Sequence, residues 1–517
     1  MSKKIVVSVA LISIALQAVL IGTIPFILND WFLTTPDAGG WSCGAQTLAD
    51  TGTFSDGHTA GLGYNFNICW TKDTYPGLQY FLAGVVRLSG ATAAQLVPPI
   101  MLLVLVGLSI TMWGVGWNIS RSFSVALFTG LATSLTPIVL RAFILTPQNL
   151  FGYWLIAVLL LIITHIISTK QYWWWLAVLP LAGLLGYIHS LSFGVAGLTL
   201  AVWFYGWYIP NWKWRLALSV VGVLGGVVVW FTDILPISPQ GALQLFQSGN
   251  FSGYDHPWYD HPTFLGYGLV VLAVTGLLFG QFSKHSTRWL LISWLVMPFF
   301  LGHLSWFDIV LLPDRFIAYV WFATVLCAAV GLVYLKKYLG QMWLIVAVLI
   351  WGAQLAHTVV YMKDDIDGWS HRFQPHAEFV TALQWLNEQP DQGILVGIMA
   401  AANREIIFAP QWYDGPITSY PWYNLNHRNL KSFKANSNLY QNVFADPTSP
   451  EYLRVQAFYT IIAKPKLDEA KPYALQYNLA YLIMPKGSQA DDIWQKAQPA
   501  HFPQIYENDQ YRIFSLR

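Results

Sequence analysis

Asp37 is the carboxylate best placed in this chain to act as a base. It follows Thr35 and Pro36 just beyond a long apolar run. A carboxylate at that depth is partly desolvated, which raises its pKa and makes it a stronger proton acceptor. The same position also suits an aspartate that only caps the short helical pattern carried by Trp41, Ala45 and Leu48. Arg141 ends one apolar segment and Thr146-Pro147-Gln148-Asn149 opens the next, while Arg315 follows Pro313-Asp314 at the head of another. Arginine forks match phosphate oxygens two at a time. Arg141 and Arg315 beside Asp37 would therefore suit a reaction that releases a phosphate; a plain Asp314–Arg315 ion pair or interfacial snorkelling is the other reading.

The segment Gly253-Tyr254-Asp255-His256-Pro257-Trp258-Tyr259-Asp260-His261-Pro262 repeats Asp-His-Pro. Asp255, His256, Asp260 and His261 could ligate a divalent metal, or hold a sugar ring together with the aromatics, or form a Pro-rich turn. His189, in Tyr187-Ile188-His189-Ser190-Leu191, is either a substrate contact or a hydrogen-bonded helix-end histidine.

These residues must be positioned by membrane helices. The chain has 517 residues, 55% hydrophobic and 10% charged, whereas soluble domains carry about 25% charged residues. Its net charge of +2 is too small to imply nucleic acid. Glutamate is missing from residues 1–362 and first occurs at Glu378. Two parts follow: a transmembrane domain, 1–362, and a small α/β domain, 363–517. A span needs about 20 apolar residues, which predicts about eleven spans: 5–28, 94–117, 122–141, 149–167, 172–189, 191–209, 215–232, 263–281, 288–304, 315–335 and 341–361. The first is read as an uncleaved helix, and 76–90 as a short interfacial or re-entrant one.

With the N-terminus cytoplasmic, every inside loop is basic: Lys3 and Lys4, Arg121, Lys170, Lys213 and Arg215, Lys284 and Arg288, Lys336 and Lys337. All ten aspartates before residue 362 then fall outside, as does the C-terminal domain. Outside basic residues are few, namely Lys72, Arg87, Arg141 and Arg315. An ionisable group at membrane depth is a functional candidate by default. Cys43 and Cys69 share the first outside loop, where an oxidising compartment would permit a disulfide.

Asp37 after the first span, Thr74-Tyr75-Pro76-Gly77-Leu78-Gln79-Tyr80 before a short helix, Arg141 before Thr146-Pro147-Gln148-Asn149, His189, and Pro313 to Tyr319 occur in a distinctive order. Tyr481-Leu482-Ile483-Met484 and Phe502 to Phe514 complete it. The ordered set resembles the C-type glycosyltransferase superfamily, multi-span enzymes that take sugars from polyprenyl-phosphate carriers. The resemblance implies inverting transfer to a glycan, lipid or protein acceptor at the membrane's non-cytoplasmic face. It makes Asp37 the base or the group that orients the acceptor, and Arg315 and Arg141 the donor-phosphate contacts. Lys72 is read beside them as a further phosphate contact, and Tyr75, Gln148, His189, Asp255, His256, Asp260 and His261 as substrate contacts. Many members carry an acidic residue where this chain has Gln148 and Asn149, so dependence on a divalent metal stays open.

In the C-terminal part, Gly393 to Met399 reads as a buried strand. Helical patterns at 450–462 and 466–477 precede strands near 480–484 and 510–515. An aromatic stretch, Trp412 to Tyr423, reads as loop. A lipid-carrier flippase or transporter is the competing function. It would favour internal repeats and charges buried mid-span, and here the charges gather at one face.

Overall fold

A computed structural model describes residues 3–28, 36–54, 75–208, 211–214, 261–307, 313–373, 394–397, 464–466, 470–476, 479–497 and 501–517, with isolated positions between them. The chain is mostly helical and divides into two compact units. One gathers Met1–Ile27, Met101–Phe143 and Pro147–Asp365. The other gathers Leu28–Ile100, Ile144–Thr146 and Ile366–Arg517.

In chain order the helices are α1 (Lys3–Leu28), α2 (Pro36–Thr51), α3 (Pro76–Ser89), α4 (Ala93–Ser120), α5 (Phe123–Ser134), α6 (Pro137–Leu145), α7 (Pro147–Thr169), α8 (Trp175–Ile188) and α9 (Ser190–Trp203). They continue with α10 (His261–Leu265), α11 (Tyr267–Phe279), α12 (His285–Gly302), α13 (Pro313–Ile317), α14 (Trp321–Leu339) and α15 (Met342–Phe373). Among the described residues five stretches are long and apolar enough to cross a membrane: Lys4–Pro25, Gln95–Ser120, Pro147–Thr169, Arg315–Leu339 and Met342–Lys363. A sixth is the bent pair α5 and α6, broken by 45°. Most of the expected span at 215–232 lies outside the described residues.

The break between α5 and α6 sits at Leu135-Thr136-Pro137, where proline has no amide hydrogen to continue the ladder. The Leu135 carbonyl turns instead to α15, accepting from Gln354 Nε2 at 3.1 Å and Thr358 Oγ1 at 2.6 Å. From α1, Gln17 Nε2 donates to the Leu131 carbonyl at 2.7 Å and to Ser134 Oγ at 2.9 Å. In hydrocarbon no water could take over these bonds.

Helix α14 is the hub of this unit, with every residue from Trp321 to Leu332 buried. It meets α11 through glycines: a Cβ on Gly276 would lie 1.9 Å from the Cys327 carbonyl oxygen, and one on Gly331 would lie 2.1 Å from that of Leu272. Such small residues let two membrane helices touch backbone to backbone.

In the other unit, α2 and α3 pack as a pair. Trp41 Nε1 donates to the Leu78 carbonyl at 2.9 Å. Arg87 caps the end of α2, donating from Nε to Ala49 O at 2.7 Å and from its terminal nitrogen to Leu48 O at 3.0 Å.

The same unit holds a four-stranded sheet. Strands β1 (Ile394–Gly397), β2 (Leu479–Pro485), β3 (Gln504–Glu507) and β4 (Tyr511–Ser515) lie in the order β1-β2-β4-β3. The β1–β2 pair is parallel and the other two pairs are antiparallel. Helices α16 (Ala470–Gln476) and α17 (Gln489–Ala497) supply Ala470, Ala474 and Trp494 to a core shared with Leu482, Phe502 and Phe514. The expected stretch 412–423 lies outside the described residues.

One ion pair ties α17 to the sheet. Asp491, almost wholly buried, accepts from Arg512 at 2.5 Å and from the Gly487 amide at 2.9 Å. Removing Asp491 from this mostly buried pair leaves Arg512 with only its longer contact to Glu507, at 3.5 Å. Asp491→Ala is therefore expected to destabilise this sheet by about 2–4 kcal/mol, read as lost hydrogen-exchange protection of the β4 amides in the full chain. Asp491→Asn, which keeps an acceptor, should cost less.

Candidate active site

Helices α8 and α9 are separated by one extended residue, His189, with φ −153° and ψ 91°. Its buried ring caps α9: Nδ1 accepts from the Ser192 amide at 3.1 Å. An amide can only donate, so Nδ1 is unprotonated and the proton of the neutral ring sits on Nε2. Ser192 Oγ lies 2.7 Å from the same nitrogen and 2.8 Å from the Tyr319 hydroxyl. The bond directions follow: Ser192 donates to His189, and Tyr319 donates to Ser192.

Tyr319 is held from both sides. Its carbonyl accepts from Trp294 Nε1 at 3.1 Å. Its ring meets Tyr153 of α7 edge-on, with centroids 5.4 Å apart. Tyr153 also packs against Trp321 and Phe322, both at 5.8 Å. Gly152 makes the chain of hydroxyls possible, because a Cβ there would lie 2.3 Å from Ser192 Oγ and 3.2 Å from His189 Nδ1. Gly152→Ala is expected to destabilise the fold by about 1–3 kcal/mol, measured as thermal unfolding in detergent. Gly152→Ala with Ser192→Ala should regain most of that loss, since the overlapping oxygen is gone.

Two expected arginines lie around this network. Arg315 is exposed on α13, four residues before Tyr319, and its charge is within electrostatic reach of His189. Arg141 is half-buried on α6, and its charge reaches Tyr153. Gln148 is buried in the first turn of α7, five residues before Tyr153. His189, between α8 and α9, Arg315 on α13, Arg141 on α6 and Gln148 on α7 therefore lie toward Tyr153 and Tyr319, the latter lying two residues past the end of α13.

The other expected site residues are distributed differently. His261 starts α10 and is buried against Phe264, Phe299 and His303, with ring centroids 5.8, 5.4 and 5.1 Å away. Tyr75 stands before α3 in the left-handed region, with φ 48° and ψ 57°, a strained backbone for a bulky residue. Asp37 is the second residue of α2. Lys72, Asp255, His256 and Asp260 lie outside the described residues, as does Cys69. Among the described residues no three His, Cys, Asp or Glu side chains gather as a metal site.

Sequence reasoning missed Ser192, Tyr319, Tyr153 and Gly152 as parts of the site. A signal existed for two of them. Ser192 stands three residues after His189, at capping distance, and Tyr319 stands one helical turn after Arg315.

No protein-family model matches the chain, and no curated protein matches it in sequence. Solved structures do resemble it. ArnT from Cupriavidus metallidurans, bound to undecaprenyl phosphate, is 15% identical with a TM-score of 0.60, covering 100% of this chain and 99% of ArnT. The archaeal oligosaccharyltransferase AglB from Archaeoglobus fulgidus, in complex with an inhibitory peptide and a dolichol-phosphate, is 14% identical with a TM-score of 0.55. That match covers 92% of this chain and 69% of AglB. Arabinofuranosyltransferase AftD from Mycobacteria is 12% identical with a TM-score of 0.59, covering 100% of this chain and 42% of AftD. All three are C-type glycosyltransferases, and the likeness at these identities is one of fold.

Proposed function

We propose that this chain is an integral membrane glycosyltransferase. It moves a sugar, with inversion, from a polyprenyl-phosphate donor to an envelope glycan, lipid or protein acceptor at the non-cytoplasmic face. The observation that carries this reading is Arg315 within electrostatic reach of the buried His189–Ser192–Tyr319 chain, with Arg141 within reach of Tyr153, whose ring packs on Tyr319. It lies in a fold shared with proteins solved with undecaprenyl phosphate and dolichol-phosphate.

In this reading an acceptor hydroxyl attacks C1 of the sugar and its proton passes to Asp37. The bond from C1 to the phosphate oxygen breaks, and the polyprenyl phosphate leaves as an anion. A single displacement inverts the anomeric centre. Arg315 and Arg141, with Lys72, neutralise the departing charge in a site of low dielectric, where fixed cations act strongly. His189 cannot accept a proton at Nδ1 without losing the cap on α9, so its role is to hold Tyr319 and the helix start that bears Arg315. Gln148, Tyr75 and the Asp255, His256, Asp260 and His261 group are assigned to the sugar and acceptor.

The proposed topology has about eleven spans, a cytoplasmic N-terminus and the α/β domain outside. Its support is the basic inside loops. Purified full-length chain in proteoliposomes, given labelled polyprenyl-phosphate sugars and an envelope extract, should transfer label to the extract. Failure with every donor would overturn the reading. Loss of transfer with chelator, restored by a divalent ion, would show that the reaction depends on a metal.

A further inference from the structure

Where α2 and α3 end side by side they leave a cleft of about 240 Å³, lined by Gln46 and Asp50 of α2, Arg87 of α3 and Thr92 of the turn that follows. All of it lies within one compact unit. Two opposite charges share this cleft without pairing. The exposed Arg87 is tied to α2 through the Ala49 and Leu48 carbonyls, at 2.7 and 3.0 Å. The exposed Asp50 accepts from Gln46 Nε2 at both oxygens, at 3.0 and 3.2 Å. Gln46 is itself fixed, its Oε1 accepting from the Ala93 amide at 2.9 Å.

These bonds hold the carboxylate and the guanidinium in place and apart. Neither forms an ion pair with another described residue, although an exposed Asp and Arg in one cleft gain slightly by closing one. Asp50 also stands in the last turn of α2, where the helix dipole disfavours a negative charge. Helix stability therefore does not account for it. What the arrangement leaves is hydrogen-bonding capacity facing the cleft. Arg87 keeps N–H donors beyond those that bond α2, and both Asp50 oxygens keep lone pairs. The Thr92 hydroxyl accepts from the Gln95 amide at 3.4 Å and still has its hydrogen to give.

The ligand that fits is small, uncharged overall and able to donate and accept from neighbouring atoms. The fixed charges cancel, so a simple anion is opposed by Asp50 and a simple cation by Arg87. The apolar lining is only Ala49, Val86 and Ala91, too little to hold an acyl chain. Adjacent hydroxyls of a sugar answer this pattern, one donating to the carboxylate and the next accepting from the guanidinium, both as charge-assisted bonds. We propose that the cleft binds a single sugar ring between Asp50 and Arg87. That the ring belongs to an acceptor glycan rests on the sugar-transfer reading; its binding does not.

The test is saturation-transfer NMR of the full chain in nanodiscs, free of glycoside detergent and of donor, titrated with methyl glycosides of the common hexoses and pentoses. At least one should bind, and Asp50→Ala, at an exposed position, should weaken it about tenfold. Thr92→Val, outside both helices, should weaken it about threefold, a second loss that a misfolded Asp50 variant could not mimic. Binding by none of the glycosides, or binding unchanged in Asp50→Ala, would overturn the proposal. Displacement of the bound glycoside by glycerophosphoethanolamine would overturn it in favour of a zwitterionic headgroup. A glycoside lost in Arg315→Gln but kept in Asp50→Ala would sink this site and support the transfer reading. Binding as expected by a chain that transfers no sugar would keep the site and remove only its acceptor role.

Discussion

Asp37→Asn is expected to lower sugar transfer about 10³-fold, within the range general-base catalysis supplies, while leaving donor binding nearly unchanged. Asparagine keeps the size and the hydrogen-bonding ability of the side chain but cannot take the acceptor's proton. The measurement is initial rate in proteoliposomes, with donor affinity followed separately by displacement of labelled carrier. If Asp37 serves only to start α2, the rate will stay within a few-fold of wild type and only stability will move, by about 1 kcal/mol or less. The two outcomes differ by orders of magnitude.

Arg315→Gln should reduce transfer by about 10²–10³-fold, the scale of losing one fixed charge that meets a developing anion. Here binding should suffer too, because the donor phosphate is already charged before the reaction. Arg315→Lys should recover only part of the rate, since lysine offers a point charge in place of a two-pronged fork. Arg315 is exposed on a short helix, so these changes should leave thermal unfolding nearly where it was. Donor affinity and rate both unchanged in Arg315→Gln would remove the residue from the site.

Much of the architecture was legible because membrane helices and buried strands announce themselves by composition. The short helix read at 76–90 is α3, Pro76–Ser89, and the strand read at 480–484 is the centre of β2. The residues 122–141, read as one span, are two helices. The apolar run hides the break, although Thr136-Pro137 marks it locally through the limits proline sets on its neighbour. The candidate site was legible only in its more strongly polar members. His189, Arg141 and Arg315 stand out because polar groups are rare in such a chain. Ser192 and Tyr319 do not, since their bond joins residues 127 apart. Gly152 is invisible as a sequence feature; what it does is leave a space.

The break between α5 and α6 bears on how the chain is made. The Leu135 carbonyl finds Gln354 and Thr358 only on α15, over two hundred residues later in synthesis. Until that helix leaves the ribosome and is released sideways into the bilayer, the broken span carries an unmet acceptor in a medium that offers no donor. The arrival of α15 thus closes the break between α5 and α6. A nascent chain stopped before Met342 would expose that defect to the cell's membrane quality control.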